Sequence, residues 1–132
     1  DNTASFITML DTPDQIMKEF KRAVTDSEAC VRYAEGKDGI NNLMGIYSCI
    51  TGKSYGEIER EFDGRGYGDF KTAVGETVVG ELAPIQARYN EFVKDKAYLE
   101  KCYSEAAPRA EAIARRTLQK AMRKVGYLPP IR

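Results

Sequence analysis

Within seven positions near the middle of the chain stand Arg65, Tyr67, Phe70 and Lys71, two cations beside two aromatic rings. Residues of these types can hold single-stranded RNA: unstacked bases lie on aromatic or guanidinium planes, and phosphates meet basic groups or a helix N-terminus. The plainer reading makes Tyr67 and Phe70 core anchors and leaves Arg65 and Lys71 in water. A second basic set, Arg109, Arg115, Arg116, Lys120, Arg123, Lys124 and Arg132, is met only by Glu111 near the C-terminus, while Glu57, Glu59, Glu61, Asp63 and Asp69 gather mid-chain. On a helix such a row can follow a phosphate backbone, or can be a solvated face whose cations suit the C-terminal end of the helix dipole. Arg65, Tyr67, Lys71, Arg115, Arg116 and Lys120 are therefore the candidate RNA-binding residues, chosen on charge and stacking chemistry.

Other chemistries fit less well. The stretch Thr51-Gly52-Lys53-Ser54 looks like the end of a phosphate-binding loop, but Tyr47 stands where the first glycine is required and a helical pattern, not a strand, precedes it. A helix stop at Gly52 and a capping box in Ser54-x-x-Glu57 account for the same residues. Gly64-x-Gly66-x-Gly68 also follows a helical stretch, which favours a helix-to-helix turn over a dinucleotide loop. Histidine is absent, so the commonest general base and the commonest metal ligand are missing. The carboxylate pairs Asp14 with Glu19 and Glu57 with Glu61 read as surface charges. No catalytic residue and no metal ligand are assigned.

The elements that position these residues belong to one domain of 132 residues, with balanced charge and ordinary apolar content. Cys30, Cys49 and Cys102 are odd in number and lack a Cys-x-x-Cys pattern, so they read as reduced core thiols of a cytoplasmic protein. No apolar run approaches the roughly 20 residues needed to cross a bilayer. The start at Asp1, without methionine, suggests a fragment or a processed product.

Residues 1–11 read as an extended lead-in. Thr12-Pro13-Asp14-Gln15 opens a first helix with an N-cap hydroxyl, a proline at the first helical position and a capping glutamine; its stripe is Ile16, Phe20, Ala23 and Val24, ending at Thr25-Asp26-Ser27. Residues 28–38 form an irregular stretch of the kind that is often functional. A second helix spans 39–51 and a short third one 54–62. After the glycine hinge comes the central helix, with Phe70, Val74, Val78, Leu82, Ile85, Tyr89 and Phe92 on one face and a kink expected at Pro84. Asp95 caps a last helical stretch to Val125, divided or bent at Pro108 and stopped by Gly126. The fold class is all-α: a helical bundle over 12–126 and an extended tail over 127–132.

Several blocks resemble the C-terminal half of bacterial tryptophanyl-tRNA synthetase: Phe6-Ile7-Thr8-Met9-Leu10-Asp11, Phe20-Lys21-Arg22-Ala23-Val24-Thr25-Asp26-Ser27-Glu28, Gly39-Ile40-Asn41-Asn42-Leu43, Gly64-Arg65-Gly66-Tyr67-Gly68-Asp69-Phe70-Lys71 and Pro84-Ile85-Gln86-Ala87-Arg88-Tyr89. The resemblance runs almost end to end and implies a class I enzyme, working as a homodimer, that uses ATP with magnesium to join tryptophan to its tRNA. The family's His-Ile-Gly-His and Lys-Met-Ser-Lys-Ser signatures are absent here. The resemblance thus implies the helical domain that receives the tRNA anticodon. It also implies that the Rossmann catalytic domain and a cofactor site lie outside this stretch, and that the chain alone has no synthetase activity. Two other readings are a helical module that braces the catalytic domain, motivated by Phe6, Ile7, Met9 and Leu10, and the equivalent region of tyrosyl-tRNA synthetase.

Overall fold

The computed structural model describes residues 6–128, and the terminal Pro129-Pro130-Ile131-Arg132 and the first five residues of the lead-in lie outside that range. Five helices follow one another: α1 (Pro13–Arg22), α2 (Asp38–Thr51), α3 (Tyr55–Glu61), α4 (Tyr67–Lys94) and α5 (Lys96–Lys124). No strand occurs among the described residues. The chain forms two compact units, Asp1–Arg88 and Tyr89–Arg132.

Local chemistry sets the helix starts in the first unit. The Thr12 hydroxyl accepts from the Gln15 amide while the Gln15 side chain accepts from the Thr12 amide, and Pro13 occupies the first turn. Ser54 and Glu57 make the same reciprocal pair at α3. Gly52 ends α2 in the left-handed region at φ 72°, where a side chain would be strained. α1 ends at Arg22, earlier than its stripe implied: Val24 lies outside the helix and exposed, because Gly39 of α2 packs directly against the Val24 carbonyl.

The core of this unit takes Ile16 and Phe20 from α1, Ile40, Leu43, Met44 and Tyr47 from α2, Ile58 from α3, and Phe70, Val74 and Val78 from α4, with Phe62 and Tyr67 at the turn. Tyr47, Phe62 and Phe70 meet edge to face, Phe62 and Phe70 with centroids 4.9 Å apart, the geometry that ring quadrupoles favour. The lead-in is held by the Gln86 amide, which donates to the carbonyls of Met9 and Asp11 at 2.9 Å.

Three expectations need correction. The buried stripe of α4 ends at Val78, with Leu82 half-buried and Ile85, Tyr89 and Phe92 exposed. At about 1.5 Å per residue the 28-residue helix is nearly three times as long as α1 and outruns what packs on it. All three cysteines are exposed rather than core, Cys30 in the irregular stretch 23–37 and Cys49 and Cys102 on outward helix faces. Pro108 does not divide α5, which runs through it, as α4 runs through Pro84. Gly80, one turn before Pro84, is exposed, so the carbonyl that proline leaves unpartnered can meet water.

In the second unit Asp95 caps α5 by accepting from the Tyr98 amide at 2.9 Å, and the Phe92 and Tyr98 rings stack across the turn. None of the residues of α5 is buried.

Candidate nucleic-acid interface

The candidates near the start of α4 are set by a turn in which Gly64 alone takes a left-handed φ, of 72°. Gly66 and Gly68 need no such freedom, and α4 starts at Tyr67. The Arg65 amide donates to the Phe62 carbonyl at 3.0 Å, and its guanidinium lies 5.8 Å from the Phe62 ring centre, so the cation is seated on the edge of the core. Lys71 is half-buried one turn further along.

Tyr67 is only 8% exposed. Its hydroxyl donates to Asp26 Oδ1 at 2.6 Å, lies 3.1 Å from the Cys30 carbonyl and accepts from Lys37 Nζ at 3.2 Å. Its ring is almost wholly covered, and its hydroxyl joins three partners. Lys37, also buried, pairs with Glu28 at 2.6 Å and Asp26 at 3.2 Å. The Tyr67 hydroxyl, then the Glu28 amide and Lys37, hold the Asp26 carboxyl down at about 2. The Glu28 carboxylate, with Tyr67 and Asp26, raises the Lys37 ammonium above its ordinary value, and burial raises the Tyr67 phenol. A charged knot thus ties the stretch 23–37 to the starts of α2 and α4.

That stretch carries a feature the sequence reading passed over. The Tyr33 amide donates to Glu59 of α3 at 2.8 Å, and Asn41 of α2 grips both backbone groups of Ala34, donating to its carbonyl at 2.7 Å and accepting from its amide at 3.2 Å. These bonds lay the Tyr33 ring flat on Tyr55, with centroids 4.4 Å apart and planes 9° from parallel. Both rings remain exposed, Tyr33 by 50% and Tyr55 by 39%. The available signal was the length of an irregular segment containing an arginine and a tyrosine.

The remaining candidates lie on α5. Arg115 pairs with Glu111 one turn earlier, while Arg116 and Lys120 are exposed. Arg109, Arg116, Lys120 and Arg123 recur at spacings of seven, four and three and so share one helix face. Arg65, Tyr67 and Lys71 belong to the first unit and Arg115, Arg116 and Lys120 to the second.

Lys53 Nζ is paired with Glu61 at 2.6 Å, Ser54 caps α3, and no group of three or more His, Cys, Asp or Glu able to hold a metal occurs among these residues. Among them, too, no helix is long and apolar enough to cross a membrane.

The chain matches curated tryptophan–tRNA ligases over nearly all its length. It is 45% identical to that of Clostridium acetobutylicum over 98% of the chain, 47% identical to that of Wolinella succinogenes over 92%, and 41% identical to that of Leifsonia xyli subsp. xyli over 100%. It spans 37–40% of the length of these relatives. Among solved structures, tryptophanyl-tRNA synthetase from Mycoplasma pneumoniae superposes with a TM-score of 0.75 over 97% of this chain and 39% of its own, at 23% identity, which speaks for the fold. No family model matches the chain.

Proposed function

We propose that this chain is the tRNA-receiving helical part of a tryptophan–tRNA ligase, and that it binds the anticodon region of the tRNA for tryptophan. The carrying observation is the 39–47% identity to such ligases over almost every residue of the chain. The site chemistry supports it: Arg65 and Lys71 flank a rigid helix start, and a cationic row runs along α5 through Arg116 and Lys120. On this reading Arg65, Lys71, Arg115, Arg116 and Lys120 meet RNA and Tyr67 holds the frame. Activation of tryptophan with ATP and magnesium falls to a Rossmann catalytic domain, with which this chain works in a cytoplasmic homodimer. Alone, the chain charges no tRNA.

Filter binding with the tryptophan tRNA and an anticodon-substituted copy tests the proposal. Tighter binding of the first is expected, with strong salt dependence. Equal affinity for both would remove the anticodon-reading role.

A second reading, a brace for the catalytic domain, draws on the exposed Phe6, Met9 and Leu10 at the start of the first unit. Hydrogen exchange checks it: amides of residues 6–10 that gain protection when the catalytic domain is supplied would favour the brace.

A further inference from the structure

We infer that the Tyr33–Tyr55 pair is a stacking platform for one unstacked nucleobase of a bound RNA, with Tyr33 as the contacting ring. The inference rests on the tRNA-binding reading above and adds a specific base site to it.

Three observations carry it. First, the rings are already parallel at 4.4 Å, so the pair presents π-faces in the orientation a base would extend. Second, the platform is fixed before any ligand arrives. Glu59 and Asn41 hold the backbone on either side of the Tyr33 ring, and Tyr55 leans over α2, its hydroxyl 3.9 Å from where a Cβ on Gly45 would stand. Third, the rings stay substantially exposed although a core is available nearby; Arg32, next to Tyr33 in sequence, and Arg60, later in α3, are exposed as well. The Arg60 Nε donates to the Gly56 carbonyl at 3.1 Å, which anchors this cation to the residue following Tyr55. Exposed aromatic faces together with basic groups are how single-stranded RNA is held without reading its sequence, the rings taking bases and the cations taking phosphates. Tyr67, which sequence chemistry favoured for this part, has no free face.

The test uses the whole chain, the tryptophan tRNA transcript, and a single-stranded RNA oligonucleotide carrying 2-aminopurine. Tyr33→Leu keeps apolar cover over Tyr55 but removes the π-face, whereas Tyr33→Phe keeps both; circular dichroism and a thermal melt establish that each variant is folded. The expected result is quenching of 2-aminopurine by the wild type and by Tyr33→Phe. Tyr33→Leu should lose the quenching and bind the transcript about tenfold more weakly. Unchanged transcript affinity and quenching in Tyr33→Leu would overturn the platform while leaving the tRNA-binding reading intact. A wild type that binds neither RNA would overturn both.

Discussion

Of the glycines, Gly39 leaves the least room for a side chain. It is the second residue of α2, and a Cβ built there would stand 2.1 Å from the Val24 carbonyl oxygen, 3.2 Å from its carbon and 3.4 Å from the Thr25 Cα. All three are backbone atoms, so no side chain can swing aside. Gly39→Ala must push residues 24 and 25 back by roughly 1 Å, and such overpacking costs about 1–3 kcal/mol. Against this stands the better helix propensity of alanine, at most about 1 kcal/mol. Displacing residue 25 also moves Asp26, whose carboxylate is tied to Tyr67 at 2.6 Å, so the net loss should fall near about 1.5 kcal/mol. For a unit of this size that lowers the urea midpoint, followed by far-UV circular dichroism, by about 1 M. Gly80→Ala provides the contrast: a Cβ there meets nothing within 4 Å on an exposed helix face, and the midpoint should rise. A Gly39→Ala midpoint equal to or above that of the wild type would refute the close backbone approach of α2 to residue 24.

The charged knot makes acid stability measurable. Asp26 is depressed from its ordinary 3.8 to about 2, so its contribution is present above 3.8 and is lost as the pH falls through the interval to about 2; urea midpoints across that window should decline less in Asp26→Asn than in the wild type. Tyr67→Phe keeps the ring and removes the hydroxyl that meets Asp26, Cys30 and Lys37, and should cost about 2 kcal/mol in a denaturant titration. On the tRNA-binding reading, Arg116→Ala and Lys120→Ala should each flatten the slope of log affinity against log salt by about 1, seen by filter binding at several salt concentrations, whereas cations that touch no phosphate leave the slope unchanged.

What could be read from the sequence was what short-range chemistry decides. Thr12 with Gln15, Ser54 with Glu57 and Gly52 as a helix stop are each fixed by residues within one turn, and each stands where the pattern places it. The paired roles of Lys53 and Ser54 likewise account for a stretch that only looks like a phosphate loop. What short-range pattern does not reach depends on partners distant in sequence. Tyr67 meets Asp26 across 41 positions and Lys37 across 30, which converts an apparent base-stacking ring into a buried tie. Tyr33 reaches Glu59 across 26 positions, and no periodicity within either segment announces their meeting. For the α4 stripe, spacing describes a face but says nothing of where its neighbours stop.

These contacts explain how an irregular segment of 15 residues, 23 to 37, keeps one shape. Its backbone has no regular partner strand or helix, and ordering each residue costs about 1–2 kcal/mol of conformational entropy. The neighbouring helices supply the missing partners from their side chains: Asn41 from α2, Glu59 from α3 and Tyr67 from α4 each bond to the segment's backbone, while Lys37, just before α2, closes on Asp26 and Glu28. Val31 is buried in the core, and Ala23 packs against that core. Because the anchors come from three helices, the segment can hold Ala29 at a positive φ of 55° and still present Tyr33 outward. Rigidity in an exposed aromatic has a direct consequence for binding: a ring already held in its bound orientation surrenders less freedom when a base stacks on it, so more of the stacking energy appears as affinity.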